Sequence, residues 1–254
     1  MPQTIKNKTI PGPHGRKLLY DVHYKETGKE KPVVVFVHGF KGFKDWGTFN
    51  IVAEEFANKG YVFIKFNFSF NGGAVEQPID FPDLEAFGMN NYSKELDDLN
   101  TLISAIKNEK LNAPYKEMDT SNINLLGHSR GGSIAVIGSV ENEVNKLVTW
   151  SAVANFYERI PADDIEKWKD DGVIYISNAR TGQNMPIYYQ FYEDLMNNKL
   201  RLDILSKAKQ LNIPWLIIHG ENDETVPNED AKRLESAGKN TSLYTIPETG
   251  HTFD

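Results

Sequence analysis

The apolar positions along the chain fall into short extended runs separated by stretches of helical spacing. Residues 32–37, Pro-Val-Val-Val-Phe-Val, form a continuous β-branched run of strand length, the kind that is buried on both faces in a parallel sheet. Similar runs recur at 61–66, 122–126, 146–150, 213–218 and 242–246. Ahead of them, residues 3–10 and 17–24 read as two paired strands broken by Pro11-Gly12-Pro13-His14-Gly15. Between the runs, Phe49, Val52, Ala53, Phe56 and Ala57 lie on one helical stripe that Gly60 ends. A second stripe, Leu96, Leu99, Leu102, Ile103 and Ile106, follows Ser93 as a predicted cap, and residues 130–140 and 229–237 read as further helices. Strands alternating with helices predict an α/β domain with a mostly parallel central sheet flanked by helices.

Residues 151–212 break that alternation. They hold a charged stretch at 163–171, a predicted hairpin at 173–181 and an aromatic segment at 188–192. This stretch reads as a cap insertion over the sheet of a single domain spanning 1–254. Its aromatics are Phe156, Tyr157, Trp168, Tyr175, Tyr188, Tyr189, Phe191 and Tyr192. Such residues pack a small insert, and some of them are expected to wall a ligand pocket.

The sharpest local signal is Gly127-His128-Ser129-Arg130-Gly131, placed between a predicted strand and a predicted helix. A serine on so tight a turn leaves no room for side chains two residues either side, which glycine supplies. The turn presents the hydroxyl at a helix N-terminus, where backbone N–H groups receive negative charge. A serine nucleophile needs a base, and the base an orienting carboxylate. Of six histidines, His14 and His23 lie in the N-terminal paired strands, and His38 and His219 end buried strands with packing or loop-fixing roles. His128 is inside the turn itself, which leaves His251, just past the last strand. Glu221, Asp223 and Glu224 qualify by position for the acid, in the loop after 213–218, with Asp223 favoured. The backbone N–H groups of Arg130 and of Phe40, in the His38-Gly39-Phe40 turn, are the expected oxyanion donors.

Composition narrows the classes. The chain has 254 residues with 40% hydrophobic and 25% charged residues, which excludes wholesale disorder. A net charge of −7 without a basic stripe argues against nucleic acid as a partner. The absence of cysteine excludes disulfides, thiolate metal sites and a cysteine nucleophile. No apolar run approaches the roughly 20 residues of a membrane span, and the first residues lack a secretory-signal pattern, so a soluble, cytoplasmic chain is expected.

Four motifs in chain order resemble the α/β-hydrolase superfamily: His38–Phe40, Gly127–Gly132, the His219-Gly-Glu-Asn-Asp223-Glu-Thr-Val-Pro227 stretch, and Thr249–His251. Among its branches the chain looks most like bacterial carboxylesterases of the cinnamoyl and feruloyl esterase type. The resemblance places the acid on Asp223 and implies an α/β-hydrolase fold, a serine esterase working through an acyl-enzyme, and a small ester, short-chain or aromatic in its acyl part, as substrate. It implies no cofactor, no metal and no membrane partner, and it sets no oligomeric state. It also implies a final helix after His251, whereas the sequence ends at Asp254. Two other readings stay open: an acylaminoacyl-type peptidase using the same triad, and a non-catalytic ligand-binding protein on the same fold.

Overall fold

The computed structural model describes residues 1–253; any helix after His251 falls outside the described residues. The paired strands at the start are β1 (Gln3–Pro11) and β2 (Lys17–Tyr24), followed by β3 (Lys31–Val37), α1 (Phe49–Asn58) and β4 (Val62–Asn67). Then come α2 (Leu84–Gly88), α3 (Tyr92–Lys107), β5 (Met118–His128), α4 (Arg130–Asn142) and β6 (Lys146–Trp150). Residues 151–212 hold α5 (Ile165–Asp171), β7 (Val173–Asn178), β8 (Gln183–Tyr188), α6 (Gln190–Asn197) and α7 (Ile204–Ala208). The chain closes with β9 (Trp215–Gly220), α8 (Asn228–Ala237) and β10 (Thr241–Ile246).

Eight strands form one sheet in the order β1-β2-β4-β3-β5-β6-β9-β10. From β4 to β10 every neighbouring pair is parallel, and β1 and β2 add an antiparallel flank. The run at 32–37 is all but buried because successive side chains enter opposite cores. Val33, Val35 and Val37 join the larger cluster with Leu99, Ile103 and Ile134; Val34 and Phe36 join Phe49, Ala53 and Phe63 on the other face. Phe36 and Phe49 meet at 4.4 Å between ring centroids, so truncating either ring would cost about 3–5 kcal/mol. The strand order reverses between β3 and β5, and their register aligns Val37 with Gly127. The loops after β3, β5, β6, β9 and β10 therefore gather at one carboxyl edge, where open α/β sheets place ligands.

Three local expectations change. Helix α3 starts two residues earlier than the Ser93 cap implies: Asn91 is the cap, its Oδ1 accepting from the Lys94 N–H at 2.9 Å, while the Ser93 N–H donates to Asp194 at 3.1 Å. The charged stretch at 163–171 becomes α5, capped by Asp164, because Trp168 in its middle is fully buried and donates its indole N–H to Ile187 O. The hairpin is longer than 173–181, since β8 runs to Tyr188 and pairs along all of β7. Among the described residues no helix is long and apolar enough to cross a membrane, and no group of three or more His, Cys, Asp or Glu could hold a metal ion.

Candidate active site

Ser129 sits between β5 and α4 with φ 58° and ψ −129°, a conformation that a non-glycine residue adopts only when its surroundings over-determine it. Those surroundings are glycine contacts. A Cβ on Gly131 would lie 2.3 Å from Val37 O and from His38 O, and one on Gly127 would lie 2.4 Å from Gly131 O. The turn is thus pressed against the end of β3, and no larger residue fits at either position. A Cβ on Gly39 would come 2.8 Å from Ser129 Cβ, so the loop after β3 passes directly beside the serine.

That loop is aimed by His38. Its Nε2 accepts from the Phe68 N–H at 3.3 Å, so the ring proton is on Nδ1, which donates to Gly39 O at 2.9 Å. Burial, reinforced by the Arg130 charge, lowers the His38 pKa to about 4 and keeps the ring neutral. Gly42 N–H also donates to Gly39 O, at 3.1 Å. Because the peptide is planar and trans, fixing Gly39 O on one side turns the Phe40 N–H to the other.

Asp223 and His251 come together at the same edge. Asp223 Oδ2 lies 2.8 Å from His251 Nδ1 and 3.3 Å from His219 Nε2; Oδ1 accepts from the Thr225 and Val226 N–H groups at 2.9 and 2.8 Å. Burial alone would raise this carboxyl. The hydrogen bonds from His219, His251 and Val226 outweigh it and hold Asp223 well below the usual carboxylate range. An ionised carboxylate only accepts, so His251 carries its proton on Nδ1 and leaves the Nε2 lone pair free. His128 packs beside it, ring centroids 4.9 Å apart; burial, then the neighbouring His251, lowers its pKa to about 4. The neutral His128 ring donates from Nε2 to His251 O at 3.0 Å, which anchors the segment carrying His251. The Asn222 N–H adds a bond to Thr249 O at 2.9 Å.

Ser129, His251, Phe40 and Arg130 line one cavity of about 540 Å³. The hydrogen-bonded chain from Asp223 ends at His251. Ser129 shares the cavity without being bonded to that ring, and such contacts commonly tighten only around substrate. The sequence reading foresaw neither the part played by His219, which shares Asp223, nor that of the Arg130 side chain. The guanidinium lies over the rings of Phe40, Tyr92 and Phe191, beside the buried Glu95 at 3.4 Å. An i, i+4 His–Asp pair at 219 and 223 was a visible signal; Arg130 carried none. Of the eight aromatics in 151–212, Phe156 alone lines the cavity among the described residues. The other aromatic walls are Phe40, Trp46, Phe49 and Tyr92, from outside that stretch. Trp168 is core, and Tyr175 is 65% exposed.

Human serine hydrolase BPHL is 24% identical over 250 residues, spanning 91% of this chain and 77% of the relative. The AB hydrolase superfamily protein YisY of Bacillus subtilis (strain 168) is 23% identical over 257 residues, 89% of this chain and 87% of that protein. Among solved structures, Est1E from Butyrivibrio proteoclasticus with ferulic acid bound superposes with a TM-score of 0.73 at 18% identity, covering 97% of this chain and 92% of that one. The esterase domain of a Rhodothermus marinus protein gives 0.67 at 20%, covering 100% and 91%. These structural likenesses establish the α/β-hydrolase fold. The dienelactone hydrolase family model matches residues 20–254, from within β2 through β10 and the His251 loop. With every parallel strand inside that match, the chain belongs to the dienelactone hydrolase family and is a hydrolase of the α/β-hydrolase type.

Proposed function

We propose that the protein hydrolyses carboxylic esters through an acyl-enzyme on Ser129, with His251 as base, Asp223 as the orienting acid, and the Phe40 and Arg130 N–H groups as oxyanion hole. The observation that carries this reading is the buried, ionised Asp223 at 2.8 Å from Nδ1 of His251, whose ring lines the same cavity as Ser129. The free Nε2 lone pair takes the Ser129 proton as Oγ attacks the ester carbonyl, and Asp223 offsets the charge that develops on the ring. The two N–H groups receive the oxyanion, each contributing about 2.7–4 kcal/mol. Nε2–H then protonates the departing alkoxide. Water repeats the sequence on the acyl-enzyme, releasing acid and restoring Ser129.

In this reading residues 151–212 are a cap insertion of a single domain. Support comes from their seating on α2 and α3: Asn91 donates to Gln190 at 2.7 Å, and the Tyr188 ring lies where a Cβ on Gly88 would be 2.7 Å from it. Asn178 and Arg180, at the hairpin tip, reach the cavity. A cavity of about 540 Å³ walled by Phe40, Trp46, Phe49, Tyr92 and Phe156 suits short or aromatic acyl groups better than long fatty chains.

A fluorophosphonate probe on the whole protein, followed by p-nitrophenyl esters of increasing chain length and methyl hydroxycinnamates, tests the reading. Stoichiometric labelling at Ser129 with hydrolysis of acetate, butyrate or cinnamate esters is expected. No labelling and no turnover would leave a ligand-binding role on the same fold.

A further inference from the structure

We propose that the Arg130 side chain is the positioning residue of the oxyanion hole, fixing the Phe40 N–H by clamping the Phe40 ring; the inference rests on the esterase reading above. The two proposed donors belong to residues whose side chains touch. Arg130 Cζ stands 3.9 Å from the centroid of the Phe40 ring, and the same guanidinium is 4.9 Å from Tyr92 and 5.4 Å from Phe191. The Arg130 side chain is only 10% exposed although it borders the cavity, and its hydrogen bond among the described residues is the long one to Glu95 at 3.4 Å. This cation is therefore held mainly by ring faces, which suits a flat, weakly hydrated guanidinium and not a compact ammonium.

The loop it clamps needs the restraint. Residues 39–42 contain two glycines and Lys41 at φ 55°, so the backbone there has little stiffness of its own. The bonds to Gly39 O set which side of the peptide the Phe40 N–H faces, but not how far the loop tip stands from Ser129. The Phe40 ring sets that distance, held between Arg130 and the Phe87 ring at 5.5 Å. Arg130 is itself fixed to Ser129 by the chain, one residue on. The guanidinium thus ties the second donor to the residue that supplies the first. It also joins this pair to the core behind it: Tyr92 stacks on Phe156 at 3.9 Å and meets Phe191 of α6 at 4.8 Å.

Steady-state kinetics on the full-length protein with p-nitrophenyl acetate, using Arg130→Lys, Arg130→Met, Phe40→Leu and the Arg130→Met/Phe40→Leu double variant, test the role. Removing an oxyanion donor outright costs about 100- to 1000-fold in kcat, so loosening one should lower kcat about 10- to 100-fold in Arg130→Met, with KM little changed. Arg130→Lys keeps the charge beside the buried Glu95 and so remains folded should Arg130→Met not. It loses the flat stacking face, and a smaller but clear fall in kcat is expected. Because Arg130 acts through Phe40, the double variant should be no slower than the slower single variant. A rise in KM at constant kcat would make Arg130 a substrate contact instead. A lower Tm with unchanged kcat per folded molecule would make it structural only, and losses that multiply in the double variant would separate it from Phe40. Each of these overturns the positioning role while wild-type labelling and turnover keep the esterase reading intact. A wild-type protein that neither labels nor turns over overturns both.

Discussion

Two buried charge clusters in this molecule are each built on aspartate and end differently. Beneath the loop after β3, Lys44 and Lys65, both almost wholly buried, share Asp21 at 2.7 and 3.1 Å, and both also pair with Asp45. Asp21 further accepts from the Asn7 N–H at 2.8 Å, and Lys65 donates to Asn50 at 2.8 Å. Two cations meet two anions, and none of the four lines the cavity. At the carboxyl edge, Asp223 is equally buried and equally well bonded, but the chain of bonds stops at His251 with a lone pair facing open space. What separates the proposed catalytic cluster from the closed one is this unused valence on a cavity. Depth of burial and a perturbed pKa do not: Asp45, where the bonds from Lys44 and Lys65 overcome the effect of burial, is lowered as Asp223 is. Closed pairs of the first kind stabilise little in net terms, yet breaking one by removing a partner is costly.

The largest effect that would break the contrast is at Ser129, the proposed nucleophile. Ser129→Ala should lower kcat by about 10⁶-fold with the fold intact, measured by p-nitrophenyl ester turnover, and adding His251→Ala should make it hardly worse. Residual activity of a few per cent would remove Ser129 from the chemistry. Next comes the paired replacement of the two buried aspartates. Asp223→Asn should cost about 10⁴-fold in kcat, because an amide can hold the ring in the wrong tautomer. Asp21→Asn should instead lower unfolding stability by about 3–5 kcal/mol, read by denaturant melts, with kcat per folded molecule unchanged. Equal effects on kcat would erase the distinction between the clusters.

A smaller change concerns the cavity wall. Phe156→Ala should shift the ratio of kcat/KM between a hydroxycinnamate and a butyrate ester by about 1–3 kcal/mol, whereas Tyr175→Ala, on an exposed face, should leave it alone. The smallest effect is on acid stability. Burial, and then the Lys65 charge, lowers His23 to about 4, and His38 and His128 are lowered to about 4 as well. As pH falls from about 6.5 toward 4 the unfolded chain takes up protons that these folded rings refuse, so each ring removes up to about 1.4 kcal/mol per pH unit. Asp98 opposes this. Burial raises it to about 7 despite its bonds from Ser69, so the folded form binds that proton first as pH falls. Glu95, also raised by burial, acts in the same direction as Asp98. The melts should lose stability over this window, and His23→Gln should flatten the slope by about 1.4 kcal/mol per unit. An unchanged slope would show that His23 titrates normally in the folded protein.

The parallel strands and the long helices were readable because their signal is local and redundant. Residues 32–37 are apolar on both faces, and the stripe from Leu96 to Ile106 repeats at helical spacing, so an error at one position leaves the pattern standing. Helix starts and the stretch 151–212 were less legible. Ser93 and Asn91 are both good caps, and only the docking of Asp194 on the Ser93 N–H decides between them. A charged run with one tryptophan says nothing of whether that ring finds a core, and Trp168 does so only because β8 passes over it.

By itself the sequence determined the order of the sheet strands along the chain with helices α1, α3, α4 and α8 between them, the glycine-flanked serine turn, and a short set of polar residues after successive strands. Each of these follows from side-chain period or backbone sterics within a few residues. The tertiary structure decided which of them meet. Asp223 and His251 are 28 residues apart, and they pair because β9 and β10 run parallel and in register, Ile246 opposite Gly220, bringing both loops to one edge. It also decided that Phe40, Trp46, Phe49 and Tyr92 wall the cavity instead of most of the aromatics in 151–212, and that the Arg130 side chain turns back onto Phe40. Contacts of that kind depend on how twisted sheet and helices pack across long chain separations, and no local pattern records them.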